Sequence, residues 1–169
     1  MEVAQEKELT FKINGFKWRW KYEYMEDDIE FIYSLHSDSN AARRLASGTN
    51  PVSVENYLLE VDNPLVLPAN TKIKFLITAD DVIHSWWVPS LGWKRDAVPG
   101  FINEAWTEVM EPGVHRGQCA ELCGKDHGFM PIVLNVLPRD EYETWAEDQR
   151  RRMAHEEADI QRLWTRDEL

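Results

Sequence analysis

Cysteine is nearly absent. The 169-residue chain holds two, Cys119 and Cys123, too few for a disulfide framework but enough for one bridge or half of a metal site. Long apolar runs are missing too: nothing approaches the roughly twenty apolar residues that a membrane-crossing helix needs. Positive charge is in deficit, with 19 Lys and Arg against 30 Asp and Glu, a formal net charge of −11. That excess repels nucleic acid and anionic lipid and favours basic partners. The opening "MEVAQEKELTF" is charged and has no apolar leader core. A working site outside the cytosol therefore implies that the sequence is a fragment of a longer protein.

Hydrophobic residues make up 43% of the chain and tryptophan occurs eight times, which suits a globular core. Residues 10–24, "TFKINGFKWRWKYEY", alternate sharply. Phe16, Trp18, Trp20, Tyr22 and Tyr24 share one parity, and period two with aromatics predicts one strand. "SNAARRLASG" predicts one or two helical turns ending at Gly48. "NYLLEVDNPLVLP" reads as two short strands about a turn at Asn63-Pro64. "TKIKFLITADD" is an alternating strand with Ile73, Phe75 and Ile77 inward. "EAWTEVMEPGVHRGQ" reads as two strands hinged at Pro112-Gly113, and "MPIVLNVLP" as a last one. Seven to nine strands with no helices between them predict an antiparallel all-β sandwich or Greek-key barrel over residues 1–138. Residues 139–169 contain no Gly or Pro and predict a C-terminal helix. Its thin apolar stripe runs through Tyr142, Trp145, Gln149, Met153, Ile160 and Trp164, and its first turns are expected to dock on the sandwich.

Both cysteines fall in "GQCAELCGKDHGFMP", residues 117–131, with His127 and Met130. Three chemistries fit. A Cys119–Cys123 disulfide would close a very small loop with little entropic gain, and leaves His127 and Met130 without a role. Zinc would take two cysteines, His127 and a distant histidine tetrahedrally, but rarely recruits thioether. Copper favours thiolate, thioether and imidazole together, and two coppers bridged by both thiolates would use every group. The second histidine must come from elsewhere. His84, read as the end of a strand over 71–83, is the natural candidate; alone beside two tryptophans it would pass for a packed core side chain. His36 and His155 sit among polar residues, and His115 lies within a strand with no partner pattern.

Taken together, "FKWRWKYEY", "VIHSWWVPSLGWKRDAVPGFINEAWT" and "PGVHRGQCAELCGKDHGFMPIVL" resemble the soluble domain of subunit II of haem-copper cytochrome c oxidase, which carries the dinuclear copper centre CuA. The likeness runs from about Leu9 to about Trp145. It implies a cupredoxin-like Greek-key β-barrel. It implies Cys119 and Cys123 as bridging thiolates, His84 and Met130 completing one copper, and His127 with the Glu121 carbonyl completing the other. The Glu121 side chain would help bind magnesium at the boundary with subunit I, incomplete in an isolated domain. Trp18 aligns with the residue through which the family takes electrons from cytochrome c, although alternation alone places it with the core aromatics. Glu23, Asp62, Asp80 and Asp81 correspond to the carboxylates that dock cytochrome c; any of them would also serve as a plain solvated acid.

This sequence departs from the family pattern in placing Lys17 and Arg19 beside Trp18. It also lacks the two membrane helices that precede the domain, through which alone a membrane would be engaged. The resemblance further implies a periplasmic location, or the intermembrane space if mitochondrial. The expected role is an electron carrier without its own site for oxygen reduction. Rival readings are the CuA domain of another terminal reductase, a structural zinc module and a copper-delivery protein.

Overall fold

A computed structural model of the chain describes residues 8–166, with side chains through residue 158. Ten strands form two five-stranded sheets, with a short helix inserted and a long one at the end. The first sheet orders β3-β2-β1-β5-β8 and the second β4-β10-β9-β6-β7. In the first are β1 (Leu9–Phe16), β2 (Arg19–Tyr24), β3 (Ile29–Ile32), β5 (Lys72–Ala79) and β8 (Asn103–Glu108). In the second are β4 (Leu65–Pro68), β6 (His84–Trp87), β7 (Lys94–Ala97), β9 (Gly113–Cys119) and β10 (Pro131–Leu137). Helix α1 covers Ser37–Ala42 and α2 covers Arg139–Arg166.

Alternation does what the sequence predicts in β5, where Ile73, Phe75 and Ile77 are buried and the residues between them are not. Leu9, Phe11 and Ile13 of β1 join them, facing Leu65, Leu67, Trp86, Leu134 and Val136 of the second sheet. Aromatic rings bridge the sheets: Phe75 lies 5.5 Å from Trp86, which stacks on Trp93 at 5.3 Å. Polar tips do the same. The Tyr24 hydroxyl donates to the Val66 carbonyl (3.1 Å) and accepts from the Val66 N–H (2.9 Å). The Tyr33 hydroxyl donates to the carbonyl of Pro131.

Four expectations are corrected. Residues 10–24 are a hairpin and not one strand: β1 and β2 pair antiparallel with Phe16 opposite Arg19, so Lys17 and Trp18 form the turn. Only the second half of "NYLLEVDNPLVLP" is a strand; residues before it form turns, and Val61 bridges Leu35. The strand expected over 71–83 ends at Ala79, and His84 opens a new strand in the other sheet. Pairing is also not purely antiparallel: β1 runs parallel to β5 and β10 parallel to β4. Parallel neighbours need long crossovers, which period-two patterning does not register.

Helix α2 docks through its first turns, with acidic Asp140 and Glu141 at the positive end of its dipole. Tyr142 and Ala146 are buried, and Trp145 sits 5.3 Å from Tyr24. The Tyr142 hydroxyl donates to Asp27 (2.9 Å), and Arg150 pairs with the same carboxylate (2.6 Å). The side chains of Ile160 and Trp164 lie outside the described residues. Among the described residues no helix is long and apolar enough to cross a membrane.

Candidate metal centre

Strand pairing assembles the site. Strand β6 runs antiparallel to β9 with Trp86 opposite Cys119, so His84, two residues before Trp86, shares its inward face. The Ala120 N–H donates to the Ser85 carbonyl (2.9 Å), fixing the start of the cysteine loop on β6. The loop then returns through a short 3-10 turn, His127–Phe129, into β10. Its two ends are clasped where the Cys119 N–H donates to the Met130 carbonyl (3.0 Å). Two glycines make room. A Cβ on Gly117 would overlap the Trp87 carbonyl, and one on Gly15 would come 2.8 Å from Trp20 and 3.0 Å from the His84 ring.

The sulfurs of Cys119 and Cys123, both free thiols, stand 3.9 Å apart. His84 Nδ1 lies 3.9 Å from the Cys119 sulfur, and His127 Nδ1 lies 3.5 Å from the Cys123 sulfur. The Glu121 carbonyl oxygen is 3.4 Å from the Cys119 sulfur. His84, Cys119 and Cys123 are buried, and their ligand atoms all lie within 4.8 Å of one another; His127 does not join that set. Each sulfur thus has one imidazole beside it, His84 at Cys119 and His127 at Cys123.

His84 is held from behind. Its Nε2 faces Asp81 Oδ1 at 2.9 Å, and the other Asp81 oxygen accepts the Lys17 N–H at 2.8 Å. A proton on Nε2 directed at the carboxylate leaves the Nδ1 lone pair facing Cys119, the tautomer a metal ligand needs. Trp18 donates its indole N–H to the Cys123 carbonyl (3.2 Å) and its ring lies against Gly124.

Charge follows this geometry. Burial would raise the Cys119 thiol, but hydrogen bonds from His84, from the Ser85 and Glu121 backbone and from His127 outweigh it and bring the thiol down to about 7. Burial, and then the negative Cys119 beside it, push Cys123 up to about 12. For His84 burial opposes the charge, yet the Cys119 sulfur and the Asp81 carboxylate prevail and lift the imidazole above 6.5. Asp81 resists burial in the same way: contacts from His84, Lys17 and Val82 hold it below the usual aspartate value.

The family model for the periplasmic domain of cytochrome c oxidase subunit II matches residues 9–137. The chain belongs to the cytochrome c oxidase subunit II family. It is 49% identical over 145 residues to the probable cytochrome c oxidase subunit 2 of Rickettsia prowazekii (strain Madrid E), covering 85% of this chain and 43% of the relative. It is 47% identical, again over 145 residues and 85% of the chain, to that of Rickettsia bellii (strain RML369-C), covering 50% of it. The chain thus spans about half the length of these curated relatives. The crystal structure of the periplasmic domain of subunit II of cytochrome oxidase from Bradyrhizobium japonicum superposes with a TM-score of 0.73 at 37% identity, covering 89% of this chain and 99% of that one. A structure of a mixed disulfide intermediate between a thioredoxin-like protein and subunit II of cytochrome c oxidase superposes with a TM-score of 0.69 at 36% identity, covering 90% and 96%. The cupredoxin-like barrel with its C-terminal helix is the fold of this chain.

In this subunit II periplasmic domain, His84, Cys119, Cys123, His127 and the Glu121 carbonyl come together. Met130 is buried where the cysteine loop enters β10. Trp18 meets the loop directly. The four carboxylates are scattered and mostly engaged. Glu23 pairs with Lys12 and Lys21 on the first sheet. Asp62 accepts the Ser34 N–H (2.6 Å). Asp81 belongs to His84, and Asp80 is exposed beside it. Of the remaining histidines, His36 caps α1, His115 bonds Ser90 (2.9 Å) and His155 is exposed. Sequence reasoning missed Asp81 as the partner of His84, although the spacing Asp81-x-x-His84 was its signal. It also missed Arg43, which pairs with Asp126 (3.1 Å) and lies 4.3 Å over the Phe129 ring, bracketing His127. No local pattern announces that pairing.

Proposed function

We propose that this domain accepts electrons singly from cytochrome c or a similar donor and passes them to haem in subunit I of the oxidase. Cys119 and Cys123 would hold two copper ions together with His84, His127, Met130 and the Glu121 carbonyl. Two copper ions held by shared thiolates supply a one-electron redox unit whose charge change is spread over two nuclei.

The observation that carries this reading is that each of the two buried thiols has its own imidazole beside it. One tetrahedral zinc bound by both sulfurs and both histidines would gather all four donors around a single point. Here His84 and His127 sit on different sulfurs, and His127 stands outside the tight set of His84, Cys119 and Cys123. The donors are also soft, and Met130, buried at the end of the cysteine loop, would add a thioether that zinc seldom uses. Asp81 orients His84, and the Met130 carbonyl holds the Cys119 backbone, so the ligand set is preorganised. The depressed Cys119 thiol favours the deprotonated form that a metal requires.

Trp18 is the point where electrons enter: its indole connects the surface to the Cys123 carbonyl. Glu121, exposed on the loop, would offer its carboxylate to magnesium at the subunit I boundary, a hard cation's preferred donor. Asp80 is the candidate docking acid that remains exposed without a side-chain partner among the described residues, while Glu23, Asp62 and Asp81 contribute to the field from their internal partnerships.

Electron paramagnetic resonance of the copper-loaded domain tests the reading. Hyperfine structure from two equivalent copper nuclei is expected, together with a purple visible spectrum. One copper per chain, or hyperfine from a single nucleus, would end it, and a colourless zinc-saturated protein would favour the structural zinc module. Cys119→Ser and Cys123→Ser should each abolish the paired signal.

A further inference from the structure

Trp18 occupies the tip of the β1–β2 turn, half-buried, between two exposed cations, Lys17 and Arg19. A third cation arrives from the cysteine loop: the Lys125 ammonium lies 5.6 Å from the centre of the Trp18 ring, a cation–π distance. Among the described residues, none of these three makes an ion pair. The carboxylates touching this neighbourhood are committed elsewhere. Asp81 holds His84 and the Lys17 N–H, and Asp126 pairs with Arg43. Asp80, whose N–H donates to the Gly15 carbonyl (3.0 Å), and Glu121 on the cysteine loop are acids left open among the described residues. A cavity of about 290 Å³ adjoins the indole, lined in part by Lys17, Trp18, Arg19, Arg43 and Phe129 and by one carboxylate, Asp126, which Arg43 neutralises. A chain of net charge −11 therefore turns a positive collar and a concave surface toward the solvent at this one tryptophan.

We propose that this collar is a docking surface for an electron donor that presents carboxylates around its own point of contact. The proposal rests on the reading of Trp18 as the place where electrons enter. Two length scales separate here. At physiological ionic strength the net field fades beyond about 8 Å, so it acts on encounter and less on final orientation. At contact, a donor reaching Trp18 meets Lys17, Arg19 and Lys125 first. A lysine-rimmed donor would set like charges against like, whereas carboxylates would be matched in sign and one could enter the cavity beside the ring.

The test uses two redox-inert complexes of opposite charge, hexacyanocobaltate(III) and hexaamminecobalt(III), titrated into the isotope-labelled, metal-free domain. The readout is the indole N–H resonance of Trp18. The anion should shift that resonance saturably and the cation should not. Lys17→Glu combined with Arg19→Glu should weaken the anion by about tenfold or more, because two favourable charges become unfavourable. Lys125→Glu, on a separate segment, should act in the same direction, and Lys72→Glu on β5 should do nothing. No shift with the anion, or an undiminished one in the double variant, overturns the proposal. In the copper-loaded domain the double variant should slow reduction by ferrous EDTA, an anion, and speed reduction by hexaammineruthenium(II), a cation; unchanged rates with both also overturn it. Trp18→Phe separates the two ideas. If it leaves both reduction rates untouched, Trp18 is not where electrons enter, while the anion titration still reports on the collar itself.

Discussion

The indole N–H of Trp18 donates to the backbone carbonyl of Cys123 across 3.2 Å, joining residues 105 apart in sequence. That contact connects the tip of one hairpin to the middle of the cysteine loop. It makes Trp18 both a surface residue and a neighbour of the thiol pair.

Replacing Trp18 with Phe should keep the ring against Gly124 but delete the bond to Cys123. Stability should fall by about 1 kcal/mol, the net worth of an ordinary hydrogen bond. The purple absorption should survive, because no donor atom is removed, while electron uptake from ferrocytochrome c slows several-fold. Stopped-flow reduction of the assembled oxidase decides the matter, and a variant as fast as the parent removes Trp18 from the path.

Asp81→Asn should loosen His84 without touching a ligand atom. The amide still reaches Nε2 but no longer demands a proton there, so the Nδ1 lone pair is not guaranteed to face Cys119. Outer partners of this kind are worth about 10–100-fold in metal affinity. Copper competition against a chelator should show that loss, and Asp80→Asn next door should not. Equal affinity in both variants would make Asp81 a surface acid after all.

The metal-free protein should titrate its two thiols far apart. Cys119 is depressed from an ordinary 9.0 to about 7, so its contribution to stability is absent below about 7, builds as pH rises, and is complete above 9.0. His84 has the opposite sign. Its raised value means a contribution complete below 6.5 and lost as pH climbs through the folded value. The two contributions therefore do not peak together: between 6.5 and 9.0 neither is complete. Ultraviolet thiolate absorbance should show one step near pH 7 that persists in Cys123→Ser and vanishes in Cys119→Ser. A single joint step near 9.0 would contradict the assignment.

Gly15→Ala tests close approach. Its Cβ would press on Trp20 and on the His84 ring, both fully buried, so neither side can yield cheaply. Thermal denaturation should show a loss of about 1–3 kcal/mol, the usual range for overpacking. The visible spectrum of the copper-loaded variant should shift as well, because the displaced ring is a proposed ligand. A destabilised variant with the parent spectrum would mean that Trp20 alone absorbs the strain.

Much of the site was legible because it is local. Cys119, Cys123, His127 and Met130 lie within twelve consecutive residues, and their chemistry can be read without knowing the path of the chain. The inward face of β5 was legible because period two repeats within one strand. Trp18 was not legible by the same rule. Parity carries it inward with Trp20 and Tyr22, but the strand reverses at Lys17-Trp18, and a turn breaks parity. His84 was placed at the wrong strand end for a similar reason: an aromatic-rich run does not say where one sheet is left for the other.

The amino-acid sequence alone determined which donor atoms exist, which of them travel together on one loop, and which strand faces are apolar, because these depend on neighbours a few residues apart. Only the tertiary structure decided that His84 meets Cys119, that Asp81 stands behind His84, and that Trp18 touches Cys123. Each of those contacts depends on which strands lie side by side. The pairing of β6 with β9 and the parallel pairing of β1 with β5 are set by the fit of two whole faces, which no short pattern encodes.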